Sequence, residues 1–185
     1  MNPIEATASI IGLIQIVLLV RRSVWNFPMA MAQVALTGVV LAGGARLYSE
    51  AGLQAFFFVV NVHGWWLWSH AQGDDAEVPV AWMAWSARAG WAGLTLVLSV
   101  SLGWVMHRFT NAALPFADSA VTGASVAAQL LLNLRRIENW VLWIAIDVVS
   151  VGLYVMRGLD LLAALYVAFL VLSVIGLRQW RLAAA

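Results

Sequence analysis

Cysteine and lysine are both absent from the 185 residues, and only 10% of the chain is charged. Without thiols there can be no disulfides or thiolate metal sites, and thiol usage says nothing about the redox compartment. Ten arginines stand against nine acidic residues, for a net charge of +1, which excludes a basic surface for nucleic acid and an acidic tail. The three histidines do not make a metal centre: His63 and His70 lie two helical turns apart, ~10 Å along a helix axis, and His107 is distant in sequence. No Ser-His-Asp constellation, phosphate-cradling glycine loop or zinc-ligand spacing is present, so neither a catalytic centre nor a cofactor is expected. The opening Met1-Asn2-Pro3-Ile4-Glu5 has no basic n-region of a signal peptide, and the first apolar stretch is expected to stay as a span.

What is abundant is apolar surface. Hydrophobic residues make up 63% of the chain and the mean hydropathy is +0.88, far from the balance of a soluble domain. An all-α integral membrane protein is the fold class this implies. A spanning helix takes ~20 mostly apolar residues, and apolar runs between charges and Pro/Gly punctuation give seven segments, near 5–21, 26–43, 50–69, 80–106, 118–134, 138–156 and 159–180. The weakest boundary is at Gly43-Gly44 and Arg46; the clearest loop is the acidic run from Gln72 to Pro79. With seven spans, Arg21, Arg22, Arg135, Arg136, Arg178 and Arg181 share one side, while Arg46, Arg108 and Arg157 lie on the other. The arginine-rich side is expected to be cytoplasmic, leaving the N-terminus outside and the C-terminus inside.

The first and last three segments share landmarks in the same order. Gln15 and Arg21-Arg22 match Gln129 and Arg135-Arg136 at an offset of 114; Asn26 matches Asn139 at 113; Arg46 matches Arg157 at 111; Gly64-x-x-x-Trp68 matches Gly176-x-x-x-Trp180 at 112. Three helices end on the side opposite their start, so a linker helix, here 80–106, is needed for the second three to insert parallel to the first. A parallel three-plus-one-plus-three arrangement follows, with repeats at 1–70 and 118–180 within one membrane domain. In such a plan a solute site is expected near midplane between the repeats.

A carrier must replace a solute's water with fixed partners, so intramembrane polar groups are the first suspects. The densest run is Gln129-x3-Asn133-x4-Glu138-Asn139-Trp140-x2-Trp143-x3-Asp147, in which Asn139, Trp143 and Asp147 share about one helix face. Indole faces stack on flat heterocycles and attract cations, and an amide both donates and accepts hydrogen bonds. A flat, hydroxylated, cationic solute suits that inventory. The alternative reading of Trp140 and Trp143 is an interfacial aromatic belt, which suits Trp140 near the helix start better than Trp143 one turn deeper. A charge at the position of Asp147 costs at least ~2.5 kcal/mol on insertion scales, and its compensation is either structural, through a pair with Arg88 or hydrogen bonds to a neighbouring helix, or a solute or proton. The third segment adds Gln54, Asn61 and Trp65 or Trp68 at near-helical spacing, with Trp66 as belt and His63 as packing residue or proton relay; Asn26, in Trp25-Asn26-Phe27-Pro28, is the repeat mate of Asn139.

Nearly the whole chain except the fourth segment resembles the PnuC-type vitamin transporters. The resemblance is carried by Leu114-Pro115-Phe116-Ala117-Asp118, Gln129, Glu138-Asn139-Trp140-x2-Trp143-x3-Asp147-x6-Tyr154-x2-Arg157-Gly158-Leu159, Leu165-Tyr166 and Gly176-x3-Trp180. In the first half it is carried by Trp25-Asn26-Phe27-Pro28, Leu47-Tyr48-x4-Leu53-Gln54-x-Phe56-Phe57 and Gly64-Trp65-x2-Trp68. It implies a fold similar to sugar-carrying SWEET proteins and a homotrimer in a bacterial inner membrane. The implied activity is facilitated diffusion of nicotinamide riboside for NAD biosynthesis, with trapping by cytoplasmic phosphorylation on a separate kinase. By the motif, Trp140 and Trp143 hold the substrate, with Asn139 and Gln129 as polar partners. Two departures touch the specificity: Leu130 follows Gln129 where the family usually has Trp, and His63 precedes Gly64 where it often has Tyr. Thiamine and riboflavin are the alternatives within the class; an intramembrane enzyme acting on lipid and a non-transporting assembly subunit are those outside it.

Overall fold

The computed structural model describes residues 3–43, 48–71, 79–110, 114–156 and 158–184. Among the described residues there are seven helices: α1 (Pro3–Val20), α2 (Asn26–Gly43), α3 (Tyr48–Ser69), α4 (Trp85–Phe109), α5 (Pro115–Asn133), α6 (Glu138–Met156) and α7 (Asp160–Ala183). Among the described residues, α4, α6 and α7 are long and apolar enough to cross a membrane. The polar residues that dilute α2, α3 and α5 include Gln33, Gln54, Asn61 and Gln129, all of which face an internal cavity; inward-facing polar groups are what a membrane bundle tolerates. Arg46, Arg157 and the acidic run through Val78 lie outside the described residues.

The helix ends explain the sharp turns. After α1, Arg22 N–H donates to Leu19 O (2.9 Å) and Ser23 N–H to Leu18 O (3.0 Å); after α5, Arg135 N–H donates to Leu132 O and Arg136 N–H to Leu131 O, both at 2.8 Å. These are paired Schellman closures, with Arg22 (φ 56°) and Arg135 (φ 59°) in the left-handed region. A cation there also suits the negative end of the helix dipole. At the next helix starts, Asn26 Nδ2 donates to Ser23 O (2.7 Å) and Asn139 Nδ2 to Arg136 O (2.6 Å).

Within each set of three, α1 packs on α2 and α2 on α3, while α5 packs on α6 and α6 on α7. Between the sets, α1 meets α7 and α3 meets α5. Trp68 Nε1 on α3 donates to Asn133 O on α5 (3.1 Å), and Trp180 Nε1 on α7 donates to Leu19 O on α1 (3.3 Å). Around these bonds a buried cluster of Leu19, Val20, Phe27, Trp68, Val80, Leu132, Ile137, Trp140 and Trp180 closes one end of the bundle. Gly64 and Gly176 are there because nothing larger fits: a Cβ on Gly64 would lie 2.5 Å from Asn133 Oδ1, and one on Gly176 would lie 2.5 Å from the Trp140 ring.

The fourth segment differs from its expected course. Residues 79–84 are not helical but form an extended strap along the α5–α6 turn: Ala81 N–H donates to Arg135 O (3.2 Å) and Ile137 N–H to Ala81 O (3.1 Å). Both peptide groups of Ala81 are thus used outside a helix, and α4 begins only at Trp85. Met83 N–H and Arg88 Nε both donate to Glu138 Oε1, at 2.9 and 2.7 Å. The Arg88 guanidinium also lies over the Trp82 and Trp85 rings. Arg88 is therefore the partner of Glu138 and not of Asp147, which instead accepts a hydrogen bond from Ser173 of the neighbouring helix α7. Beyond the strap, α4 packs on α5 alone among the described helices, leaving most of its apolar surface, Leu94, Leu96, Val97 and Val100 included, outside the bundle.

Candidate functional site

Between the two sets of helices lies a cavity of about 250 Å³, walled by α1, α2, α3, α5, α6 and α7 and untouched by α4. Leu19, Leu132 and Trp140 belong both to its wall and to the buried cluster beneath, so the closed end is also the floor of the cavity. Of the residues singled out from sequence, Gln54, Asn61, Gln129, Trp140, Trp143 and Asp147 line it together.

Each is held by a distinct local device. Trp140 is 1% exposed, stands edge-on to Trp180 at 5.4 Å between centroids, and keeps its Nε1 without a hydrogen-bond partner among the described residues. One turn later on α6, Trp143 adds a second indole. Asp147, one turn further, is buried, and its Oδ2 accepts a hydrogen bond from Ser173 Oγ of α7 at 3.0 Å. Opposite these, Gln129 Nε2 donates to Asn61 Oδ1 (3.2 Å) and to Asn133 Oδ1 (3.3 Å). Asn133 Nδ2 in turn donates to Val60 O, and Asn61 Nδ2 to Phe57 O, both at 2.8 Å. This chain of amides knits α5 to α3 and consumes much of its own hydrogen-bonding capacity.

Three residues fall outside the cavity wall. Asn26 and Asn139 are fully buried in the first turns of α2 and α6, where each amide bonds back three residues into the preceding turn, a local closure typical of Asn. Trp65 is 43% exposed on the outer face of α3; Trp68 is the buried indole of that helix, tied to Asn133 O rather than to the cavity. His63 is likewise exposed.

Other wall residues went unmarked by the sequence, namely Gln33, Ser125, Phe169 and Ser173, while Phe57 and Tyr166 were marked only within the motifs of the resemblance. Gln15, noted only as a repeat landmark, joins them. The side chains of Gln15, Gln33 and Gln54 make no hydrogen bond among the described residues, so their amides are available to a solute. Gly12 makes room for one of them, since a Cβ there would come 3.0 Å from Gln33 Nε2. Among the described residues, the wall holds two indoles, several amides and hydroxyls, one carboxyl group and no basic side chain. Such a lining suits a flat ring bearing hydroxyls and disfavours an anion.

Compared with known proteins, residues 2–182 match the family described as nicotinamide mononucleotide transporter. The chain belongs to that transporter family. Among its relatives, the nicotinamide riboside transporter PnuC of Escherichia coli K12 is 27% identical over 96% of this chain and 84% of its own. The riboflavin/roseoflavin transporter RibM of Streptomyces davaonensis is 27% identical over 95% of this chain and 83% of its own. A crystal structure of the vitamin B3 transporter PnuC superposes with a TM-score of 0.80 at 24% identity, covering 97% of this chain and 82% of that one, and shares the fold. Membership makes the chain a multi-pass membrane transporter, in keeping with its apolar outer surface, and not an enzyme.

Proposed function

We propose that this family member carries nicotinamide riboside across the membrane by facilitated diffusion, through the cavity between its two three-helix sets. The single observation that carries the reading is the composition of the cavity wall: two indoles, uncommitted glutamines and one carboxyl group, with no arginine or histidine among the described residues that line it. The family's description names a mononucleotide, but a phosphate would enter this wall without a cation to replace its water, at a high desolvation cost. A riboside presents a flat pyridinium cation for Trp143 and Asp147 and sugar hydroxyls for Gln15, Gln33 and Gln54. Trp140, Gln129 and Asn61 complete the site. Asn26, Asn139 and Trp65 are left out of it.

The frame for this reading is a parallel three-plus-one-plus-three bundle in one membrane domain, with α4 as linker and all seven helices spanning. It is supported by the matching turns after α1 and α5 and by the exchanged Trp68 and Trp180 hydrogen bonds. The arginine count sets the closed end on the cytoplasmic side, with the N-terminus outside. Assembly as a homotrimer and trapping by cytoplasmic phosphorylation belong to the same reading. Riboflavin is the second candidate because RibM is as similar as PnuC; a volume of about 250 Å³ suits one ring and one sugar better than a three-ring flavin.

The test is a binding titration of the purified protein with nicotinamide riboside, nicotinamide mononucleotide, thiamine and riboflavin, repeated on Asp147→Asn. Saturable binding of the riboside, weaker binding of the mononucleotide and an affinity that responds to Asp147→Asn are expected. Binding of the mononucleotide at least as tight as the riboside removes the charge argument, and binding of none of the four removes the carrier reading.

A further inference from the structure

The two seams between the helix sets are built from different chemistry. At α3–α5, Trp68 Nε1 bonds Asn133 O, Asn133 Nδ2 bonds Val60 O, and Gln129 Nε2 bonds Asn61 Oδ1. The strap adds its own hydrogen bonds to the α5–α6 turn, through Ala81, and carries Val80 into the buried cluster. At α1–α7, the Trp180 Nε1 bond to Leu19 O is the one hydrogen bond recorded between the two helices among the described residues. The position matching Asn133 on α1 is Leu19, and the position matching Asn61 on α7 is Ser173, whose hydroxyl turns within its own set to Asp147.

Separating two helices inside a bilayer has unequal consequences for such seams. Apolar side chains that part exchange one hydrocarbon neighbour for another, because lipid tails are as apolar as Leu. Buried amides that part lose partners that the hydrocarbon cannot replace. We infer that the two helix sets hinge about the α3–α5 seam and part at the α1–α7 seam, so that the closed end opens on one side only. The inference rests on the carrier reading. The amide chain is then the hinge pin that keeps the sets in register, and the Trp180–Leu19 bond is the latch.

The absence of cysteine makes the test free of background. Leu67 and Leu134 flank the Trp68–Asn133 bond; Gln179 and Val20 flank the equivalent Trp180–Leu19 bond. Each pair is replaced by cysteines in the full chain and bridged with a short, cleavable bifunctional thiol reagent, and uptake of labelled nicotinamide riboside into vesicles is measured before bridging, after it and after cleavage. Bridging Val20→Cys with Gln179→Cys is expected to abolish uptake, with recovery on cleavage, whereas bridging Leu67→Cys with Leu134→Cys leaves uptake largely intact. Equal loss from both bridges, or loss from the α3–α5 bridge alone, overturns the one-sided hinge. No uptake by the parent protein, when riboside, thiamine and riboflavin have all been tried, overturns instead the carrier reading beneath it.

Discussion

At the closed end the two helix sets use the same solution twice. Phe27 meets Trp68 edge-on at 5.1 Å, and at the matching positions Trp140 meets Trp180 edge-on at 5.4 Å. Each buried tryptophan of α3 and α7 gives its N–H to a carbonyl of the other set, and each of those helices brings a glycine against the aromatic ring beside it. A few ångströms along the same helices, at the cavity, the likeness stops. Where α6 presents Trp143, Ile146 and Asp147, the matching positions of α2 present Ala30, Gln33 and Val34; where α3 presents Gln54 and Asn61, α7 presents Tyr166 and Ser173. Phe57 with Phe169 and Gln15 with Gln129 are the identical pairs that face the cavity among the described residues. Close packing of equivalent helices admits one answer in both halves, but a small solute with a ring at one end and hydroxyls at the other has no two-fold axis. Binding it asks different groups of each half.

That contrast breaks most visibly at Trp143. Base–aromatic stacking contributes ~1–3 kcal/mol per ring, so Trp143→Ala is expected to weaken riboside binding about 10- to 100-fold, with a modest loss of thermal stability because the ring also packs against the buried cluster. Calorimetric titration beside a thermal melt separates the two. A large stability loss with unchanged affinity would return Trp143 to a packing role and make the cavity as symmetric as the floor.

The floor is sharpened by Gly64→Ala and Gly176→Ala. Each new methyl meets a buried ring or amide at well under van der Waals distance, and overpacking of this kind costs ~1–3 kcal/mol. Losses of similar size in the two variants, read as lowered melting temperatures in detergent, are what a floor packed alike in both halves demands. A loss at one glycine only would show that the halves close by different means.

Much of this was legible in the residues, and the parts that were not share a cause. Seven helices could be read because every apolar run is ended by arginine, glycine or proline, and turn chemistry does not depend on distant contacts. Residues 79–84 misled, since an apolar strap and the start of an apolar helix look alike when the strap's hydrogen-bond partner, the turn at Arg135–Ile137, is over fifty residues away. Asn26 and Asn139 looked like solute ligands because a polar residue in an apolar run invites that reading; as the first residues of helices after tight turns they carried the opposite signal. Among Trp65, Trp66 and Trp68, spacing alone could not tell which indole points inward. Gln33 escaped because its mate in the second half is Ile146, so a search for matching landmarks passed over a residue whose value lies in having no match.

Asn26→Ala and Asn139→Ala test that reassignment. Loss of a side chain that closes a helix-start turn costs ~1 kcal/mol, so each variant should melt slightly lower and bind the riboside with wild-type affinity. A loss of affinity confined to Asn139→Ala would restore it to the site and extend the asymmetry of the cavity down into the turns.

The smallest effect concerns the turns themselves. Arg135 at φ 59° and Gly158 at φ 68° end α5 and α6 in the same left-handed conformation, with the same pair of closures, since Leu159 N–H reaches Tyr154 O and Gly158 N–H reaches Val155 O. A residue with a Cβ is disfavoured there by ~1–2 kcal/mol relative to the right-handed region, and glycine escapes that term but gives up more freedom on folding. Gly158→Ala is therefore expected to destabilise by about 1 kcal/mol, and Arg135→Gly to stabilise by less than that, because the arginine's attraction to the α5 C-terminus is lost together with the strain. Paired melting curves decide the sign: a stability loss in Arg135→Gly would mean that the cation at the closed end outweighs its backbone strain, and that the two ends of α6 are bounded by turns of one shape held for different reasons.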